Sequence, residues 1–340
     1  MGTSQAECVR FASLLSKFGR RTPRSLLEHI PTQETRHVHF VDLDQAKMDD
    51  YQRLVRYRES LILRHGITNG ALSWKYFNEI RRSLSCTSFS EGDFAELPTL
   101  VKPEDAHLYH RASDDNTCSI CLEIFDQPVG ISCRHVFCLT CIRQHLTSGR
   151  GTCPLCRSTV DMRQLVLLDE PIDEYHVDLP KLNAILQLLL RQQGRVLVFS
   201  EFGSTIRMLR TLLNQARVQV YELSGHMSKA ERQRQLSAFE NAPNDTVVVF
   251  LMSVAVAGTG LNLQSAQSIV FCEPLVRSDL YDQAVGRIMR IGQQSATVHV
   301  HQFVTRHTLE EALHTTLIQQ PSWTPSSRNI VAMLSQLQAV

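Results

Sequence analysis

Eight side chains between Cys118 and Cys156 have the types and the spacing to hold metal ions. They fall as Cys118-x2-Cys121, Cys133-x-His135-x2-Cys138-x2-Cys141 and Cys153-x2-Cys156, and they take seven of the ten cysteines in the chain. A two-residue gap lets both thiolates of a knuckle turn toward one cation, and structural zinc takes four such ligands tetrahedrally. Eight ligands within thirty-nine residues therefore call for two Zn2+ ions. Cysteines that are merely buried or disulfide-paired do not account for this spacing. Thiolate-rich sites need a reducing compartment, the nucleus or the cytosol. Cys8, Cys86 and Cys272 lie outside the pattern and read as ordinary thiols.

The ligand order resembles that of a RING finger, in which alternate pairs share a metal. The resemblance implies a cross-brace: Cys118, Cys121, Cys138 and Cys141 on one zinc, and Cys133, His135, Cys153 and Cys156 on the other. Each structural zinc supplies roughly 10–16 kcal/mol of apparent binding energy to a small fold. That lets about forty residues fold with little apolar core. RING-type ubiquitin ligases carry an apolar residue between the first two ligands, a proline between the last two and an arginine after the eighth. Ile120, Pro154 and Arg157 stand at those positions. The resemblance implies that they contact a ubiquitin-conjugating enzyme charged with ubiquitin. The planar, multi-donor head of Arg157 would bridge the two proteins, and catalysis would act by orienting the thioester. His145 stands where many active RINGs have tryptophan. A purely structural zinc module remains the alternative.

A second set of residues follows. Val198-Phe-Ser200, Ser224-Gly225 with Glu231-Arg232 and Phe239, then Ser253 to Leu263, then Gln283 to Gln293 are similar in order to the second RecA-like lobe of Swi/Snf-type helicase-related ATPases. The specific strings are Gly258-Thr-Gly-Leu-Asn-Leu263 and Gln283-Ala-Val-Gly-Arg-Ile-Met-Arg-Ile-Gly-Gln293. The resemblance implies that Gly260, Asn262, Gln283, Arg287 and Arg290 face ATP held by a first lobe. Arg287 and Arg290 would be the arginine-finger candidates, since a guanidinium stabilises phosphoryl charge in the transition state. Helical i, i+3 spacing would put the two on one face. The sequence departs from the family at Ala257-Gly258, Arg277-Ser278 and Met289. Leu27 to Tyr51 is similar to the stretch that closes the first lobe, and Asn78 to Arg82 sits where a helix precedes the second. A RING beside such a lobe resembles the post-replication-repair branch of these translocases.

A first lobe supplies a phosphate-cradling loop of the form G-x-x-x-x-G-K-[ST]. No Gly-Lys-Ser or Gly-Lys-Thr occurs in this sequence. Asp173-Glu-Tyr-His176 has the look of a metal-holding acidic box but stands downstream of the RING, and is read as fortuitous. The chain alone is therefore expected not to hydrolyse ATP. ATP enters only where a separate first motor lobe, encoded upstream or supplied in trans, completes the site. The remaining alternative is a non-catalytic scaffold binding DNA or chromatin.

These residues need elements to hold them. At 340 residues, with 43% hydrophobic and 20% charged side chains, the chain has the composition of a globular protein of two or three domains. A net charge of +1 leaves any nucleic-acid surface to local patches. No apolar run is long enough to span a membrane, and no membrane partner is expected. The N-terminal residues have no signal-peptide pattern, and Ala6 argues against myristoylation at Gly2. Residues 1–110 read as mostly helical, with a loose basic run at Arg10, Arg20, Arg21 and Arg24. His37-Val-His-Phe-Val41 alternates as a short strand, and with no third ligand nearby His37 and His39 read as structural. Asp44 to Arg64 has helical spacing, and Ser83 to Asp115 reads as a linker. The RING spans 115–160. From 176 to 320 strand alternates with helix, which predicts an α/β, doubly wound parallel sheet. Thr246 to Leu251 has the continuous apolar run of a central strand. Residues 321–340 read as a tail.

Overall fold

The computed structural model describes residues 33–61, 63, 70–85, 99–100, 117–122, 125, 128–146, 149–168, 180–225, 227–243, 245–257, 263–290, 293, 295–320 and 322–337. The basic run at Arg10 to Arg24, the segment Leu27–Pro31, Asp173–His176 and the string Gly258–Asn262 lie outside the described residues.

In chain order the first elements are strand β1 (Gln33–Val41), helix α1 (Gln45–Leu61) and helix α2 (Gly70–Ser85). The RING follows, with β2 (Thr99–Leu100), β3 (Pro128–Gly130), β4 (Val136–Cys138), α3 (Leu139–His145), β5 (Arg150–Thr152), β6 (Thr159–Asp161) and β7 (Val166–Leu167). The remainder is α4 (Pro180–Leu190), β8 (Gly194–Ser200), α5 (Gly203–Gln215), β9 (Gln219–Leu223), α6 (Lys229–Glu240) and β10 (Val247–Ser253). It ends with α7 (Val254–Ala257), β11 (Ser268–Phe271), α8 (Ser278–Ile288), β12 (Thr297–Thr305), α9 (Leu309–Gln319) and α10 (Ser327–Leu337).

The large sheet is six-stranded and parallel throughout, in the order β1-β12-β11-β8-β10-β9. Every residue of β10 is buried, as the apolar run predicts, because it has a strand on each side and helices on both faces. Leu197, Phe199, Phe250 and Met252 face one layer with Phe239 of α6 and Ala284, Val285 and Ile288 of α8. Val196, Val198, Val249 and Leu251 face the other, with Ile185 and Leu189 of α4 and Leu209 and Leu213 of α5. The α6 N-terminus is closed by a capping box in which Ser228 and Glu231 exchange hydrogen bonds. At its other end the Arg195 guanidinium donates to the carbonyls of Phe239, Glu240 and Ala242, where a cation suits the helix dipole.

The described part of residues 1–110 is mostly helical, in α1 and α2, and its strand β1 joins the lobe sheet as the edge strand beside β12. The structure corrects two readings. The described part of residues 321–340 is not a tail: Ile330, Met333 and Leu334 of α10 pack in one core with Tyr51, Phe77, Ile80, Leu309 and Leu313, so α10 joins the cluster built by α1, α2 and α9. Nor does the RING core end at 160, because Leu165, Leu167 and Leu168 are buried in it. Strand β7 pairs with β3 and with β2, so Thr99–Leu100, inside the expected linker, adds a strand to the finger. Among the described residues no helix is long and apolar enough to cross a membrane.

Candidate metal centres and helicase-motif residues

Two knuckles of the finger share one backbone shape. In each, the residue after the second cysteine adopts a left-handed conformation and donates its amide to the carbonyl of the first. Leu122 has φ 63° and bonds the Cys118 carbonyl at 2.7 Å; Arg157 has φ 62° and bonds that of Cys153 at 2.9 Å. The tight turn leaves both sulfurs on one side. Amides reach the sulfurs as well, with Cys138 N 3.5 Å from Cys118 Sγ and Leu155 N 3.4 Å from Cys153 Sγ.

The chain brings the eight ligands together as two sets. The ligand atoms of Cys118, Cys121, Cys138 and Cys141 all lie within 4.8 Å of one another, and so do those of Cys133, His135, Cys153 and Cys156. These are the alternate pairs of a cross-brace. A zinc–sulfur bond of about 2.3 Å places tetrahedral sulfurs about 3.8 Å apart, so the sets fit zinc. His135 turns Nδ1 inward, 3.3 Å from Cys133 Sγ and 3.5 Å from Cys153 Sγ. The electrostatics ask for a cation too. Hydrogen bonds from Cys121, Cys138 and Cys141 hold the Cys118 thiol far below its usual range. The contact with Cys118 is the largest cause that pushes Cys121 and Cys138 up. Four thiolates can share this space only around a metal. In the second set Cys156 is pushed down to about 6 by the Ser158 hydroxyl, while burial pushes Cys133 up to about 11.

Ile120 is half-buried against the finger's core. Pro154 and Arg157 are exposed. Two apolar side chains that the sequence reading missed are exposed beside them, Leu122 at 51% and Leu155 at 42%. Their signal was available, since each stands in or just after a C-x2-C knuckle. His145 donates its Nε2–H to the Thr152 carbonyl at 3.0 Å, tying α3 to β5.

The finger rests on the lobe. Gly225 approaches the Cys121 backbone so closely that an added β-carbon would stand 2.2 Å from the Cys121 oxygen. Arg82 of α2 donates to the Phe125 carbonyl at 3.0 Å. The Gly225 turn is held by Arg232, which donates to the Gly225 and Met227 carbonyls at 2.6 and 3.1 Å. The Ser224-Gly225 and Glu231-Arg232 motif thus shapes one loop.

Of the nucleotide-facing candidates, Gly260 and Asn262 lie outside the described residues. Gln283 is exposed on α8, its amide 3.4 Å from Asp279, which Arg277 also holds at 2.7 Å. Arg290 is not on the helix with Arg287. The helix ends at Ile288, and Met289 leaves helical geometry with ψ 72°. Arg290 folds back to donate to the Gly286 carbonyl at 3.0 Å. The two arginines still sense each other: burial first, then the Arg290 charge, lowers the pKa of Arg287.

Sequence reasoning also missed a buried polar network at the carboxyl ends of the strands. Arg81 of α2, wholly buried, pairs with Glu201 and donates to the Asn78 side chain and the Pro274 carbonyl. Glu273 accepts from Ser200 Oγ at 2.9 Å and from the Glu201 amide. Burial raises its carboxyl to about 7. Lys181 and Glu310 form a second buried pair, and Glu310 also accepts from the Thr305 amide and hydroxyl at 2.9 Å.

Comparison with known proteins agrees with this geometry. Residues 180–292 match the helicase conserved C-terminal domain, and residues 118–156 match the zinc finger of C3HC4 type (RING finger). The chain therefore joins a RING finger to a helicase C-terminal lobe. It is 28% identical to the DNA repair protein RAD5 of Candida albicans over 271 residues, which cover 68% of this chain and 25% of that protein. It is 26% identical to the helicase-like transcription factor of Mus musculus over 276 residues, covering 76% of this chain and 26% of that one. The chain thus spans about a quarter of the length of these relatives. In fold it is similar to the crystal structure of the C-terminal part of the Fun30 ATPase domain, with a TM-score of 0.52 at 16% identity, covering 92% of this chain and 99% of that one.

Proposed function

We propose that this chain is a RING-type E3 ubiquitin ligase module carried on the second lobe of a SWI/SNF-type motor. The observation that carries the reading is the surface of the second knuckle. The second ligand set, which would hold one zinc, brackets the turn on which Pro154, Leu155 and Arg157 are exposed, with the half-buried Ile120 on the matching knuckle of the first set. Apolar Pro154 and Leu155 fit a dry contact with a conjugating enzyme. Arg157, set outward by its left-handed backbone, is the group that would hold the charged ubiquitin in a reactive pose. The zincs supply rigidity and no chemistry on substrate. Relatives named for DNA repair support a nuclear protein with DNA or chromatin as partner.

A second role rests on Arg287, in the last turn of α8, and Arg290, just past its end, whose charge lowers the pKa of Arg287 after burial. They support a nucleotide contact completed by a first motor lobe, with Gln283, Gly260 and Asn262 in the same role. On this reading ATP hydrolysis needs that lobe.

The test is discharge of ubiquitin from a charged conjugating enzyme by the purified chain. Arg157→Ala is expected to slow discharge at least about tenfold, one decade being about 1.4 kcal/mol of transition-state stabilisation, while two zincs are retained. Discharge unaltered by Arg157→Ala would remove the role assigned to Arg157, and discharge absent with every conjugating enzyme would count for the non-catalytic scaffold.

A further inference from the structure

The lobe's edge strand carries a histidine cluster that neither the finger nor the helicase motifs use. Strands β1 and β12 run parallel in register, His37 opposite His301. Residues two apart on a strand share a face, so His37, His39, His299 and His301 line one side of this strand pair. The sequence reading found no third ligand near His37 and His39, because their neighbours lie more than 250 residues away in β12. The four rings form a column. His37 stands 5.5 Å from His299 and 4.8 Å from His301, and His39 stands 5.2 Å from His301 and 4.8 Å from Phe303.

The inner and outer halves of the column differ. His39 Nε2 lies 3.0 Å from His301 Nδ1, a normal hydrogen-bond length. His301 is buried. The inner pair is thus an N–H···N bond, and it leaves His301 Nε2 buried with no hydrogen-bond partner. The outer pair is also within hydrogen-bond reach, but it is longer and open to solvent: His37 Nε2 lies 3.3 Å from His299 Nδ1, and His299 is exposed. A metal–nitrogen bond of about 2.0–2.1 Å puts two tetrahedral ligands about 3.3–3.4 Å apart.

We infer that His37 and His299 form a cross-strand chelate for a divalent first-row transition-metal ion, with water completing its coordination. Imidazole pairs suit zinc, nickel and copper. The His39–His301 bond beneath keeps the two strands at the chelating spacing, and Phe303 closes the inner end of the column. Among the described residues only the RING sets bring three or more ligand atoms together, so this site is open and binds more weakly than they do. A bound ion would clamp β1 to β12 at the edge of the sheet.

The test is calorimetric titration of Ni2+ into the full chain with both RING zincs in place. The expected result is one nickel equivalent, lost in His37→Ala and in His299→Ala and kept in His307→Asn, a histidine outside the column. Zinc content and circular dichroism verify folding of each variant. Should His37→Ala misfold, His299→Ala decides alone, because its side chain is exposed. Wild-type chain that takes up no nickel, or a His299→Ala variant that binds it as tightly as wild type, overturns the site.

Discussion

Gly225 of the lobe and Cys121 of the finger meet backbone to backbone, leaving no room for a side chain between them. One zinc knuckle therefore rests on the loop that Arg232 shapes. Gly225→Ala would place a methyl 2.2 Å from the Cys121 oxygen. The obstacle is backbone fixed by a metal ligand, so the lobe and finger must part. We expect about 1–3 kcal/mol of destabilisation of the docked arrangement, read as faster hydrogen exchange in residues 118–122 and 224–232 with two zincs still bound. Unaltered exchange would show that the contact does not hold the two units together.

Arg81 is the largest wholly buried side chain among the described residues, and it links α2 to the carboxyl ends of β8 and β11. Removing it as Arg81→Met leaves the Glu201 carboxylate without its partner. The loss is expected at about 3–5 kcal/mol, the usual result of breaking one side of a buried pair. Urea unfolding monitored by circular dichroism measures it.

Glu273 gives a pH dependence of defined sign. Its carboxyl is raised by burial to about 7 from an ordinary 4.5. Between those values the folded chain binds more protons than the unfolded one, so this group's contribution to stability falls as pH rises from 4.5 to 7. Above that it levels off. Glu273→Gln is expected to flatten the slope and to be the more stable protein at pH 8, by roughly 3 kcal/mol at most. Thermal midpoints of both proteins from pH 5.5 to 8 check the difference; parallel curves would contradict it.

Much of this was legible in the chain. The strands β8, β10 and β11 announce themselves because burial on both faces demands unbroken apolar runs. Knuckle spacing announces two metals, and the resemblance to a RING supplied the pairing. Other features were hidden for physical reasons. Alternation in His37–Val41 revealed a strand but not its partner, since register with β12 is a long-range property of the sheet. The burial of Arg81 was not legible, because nothing local says that Glu201 and the Pro274 carbonyl will enclose it. The face of α10 was readable at Ile330, Met333 and Leu334 and was overlooked. Arg290 was misplaced by extending helical spacing past Ile288.

The account depends most on two interleaved metal centres. Elemental analysis of the purified chain measures them directly. Two zinc equivalents are predicted, falling to one in Cys153→Ser, which removes a ligand from the second set only and leaves the buried Cys118 set whole. Fewer than two equivalents in the unaltered chain would contradict the account.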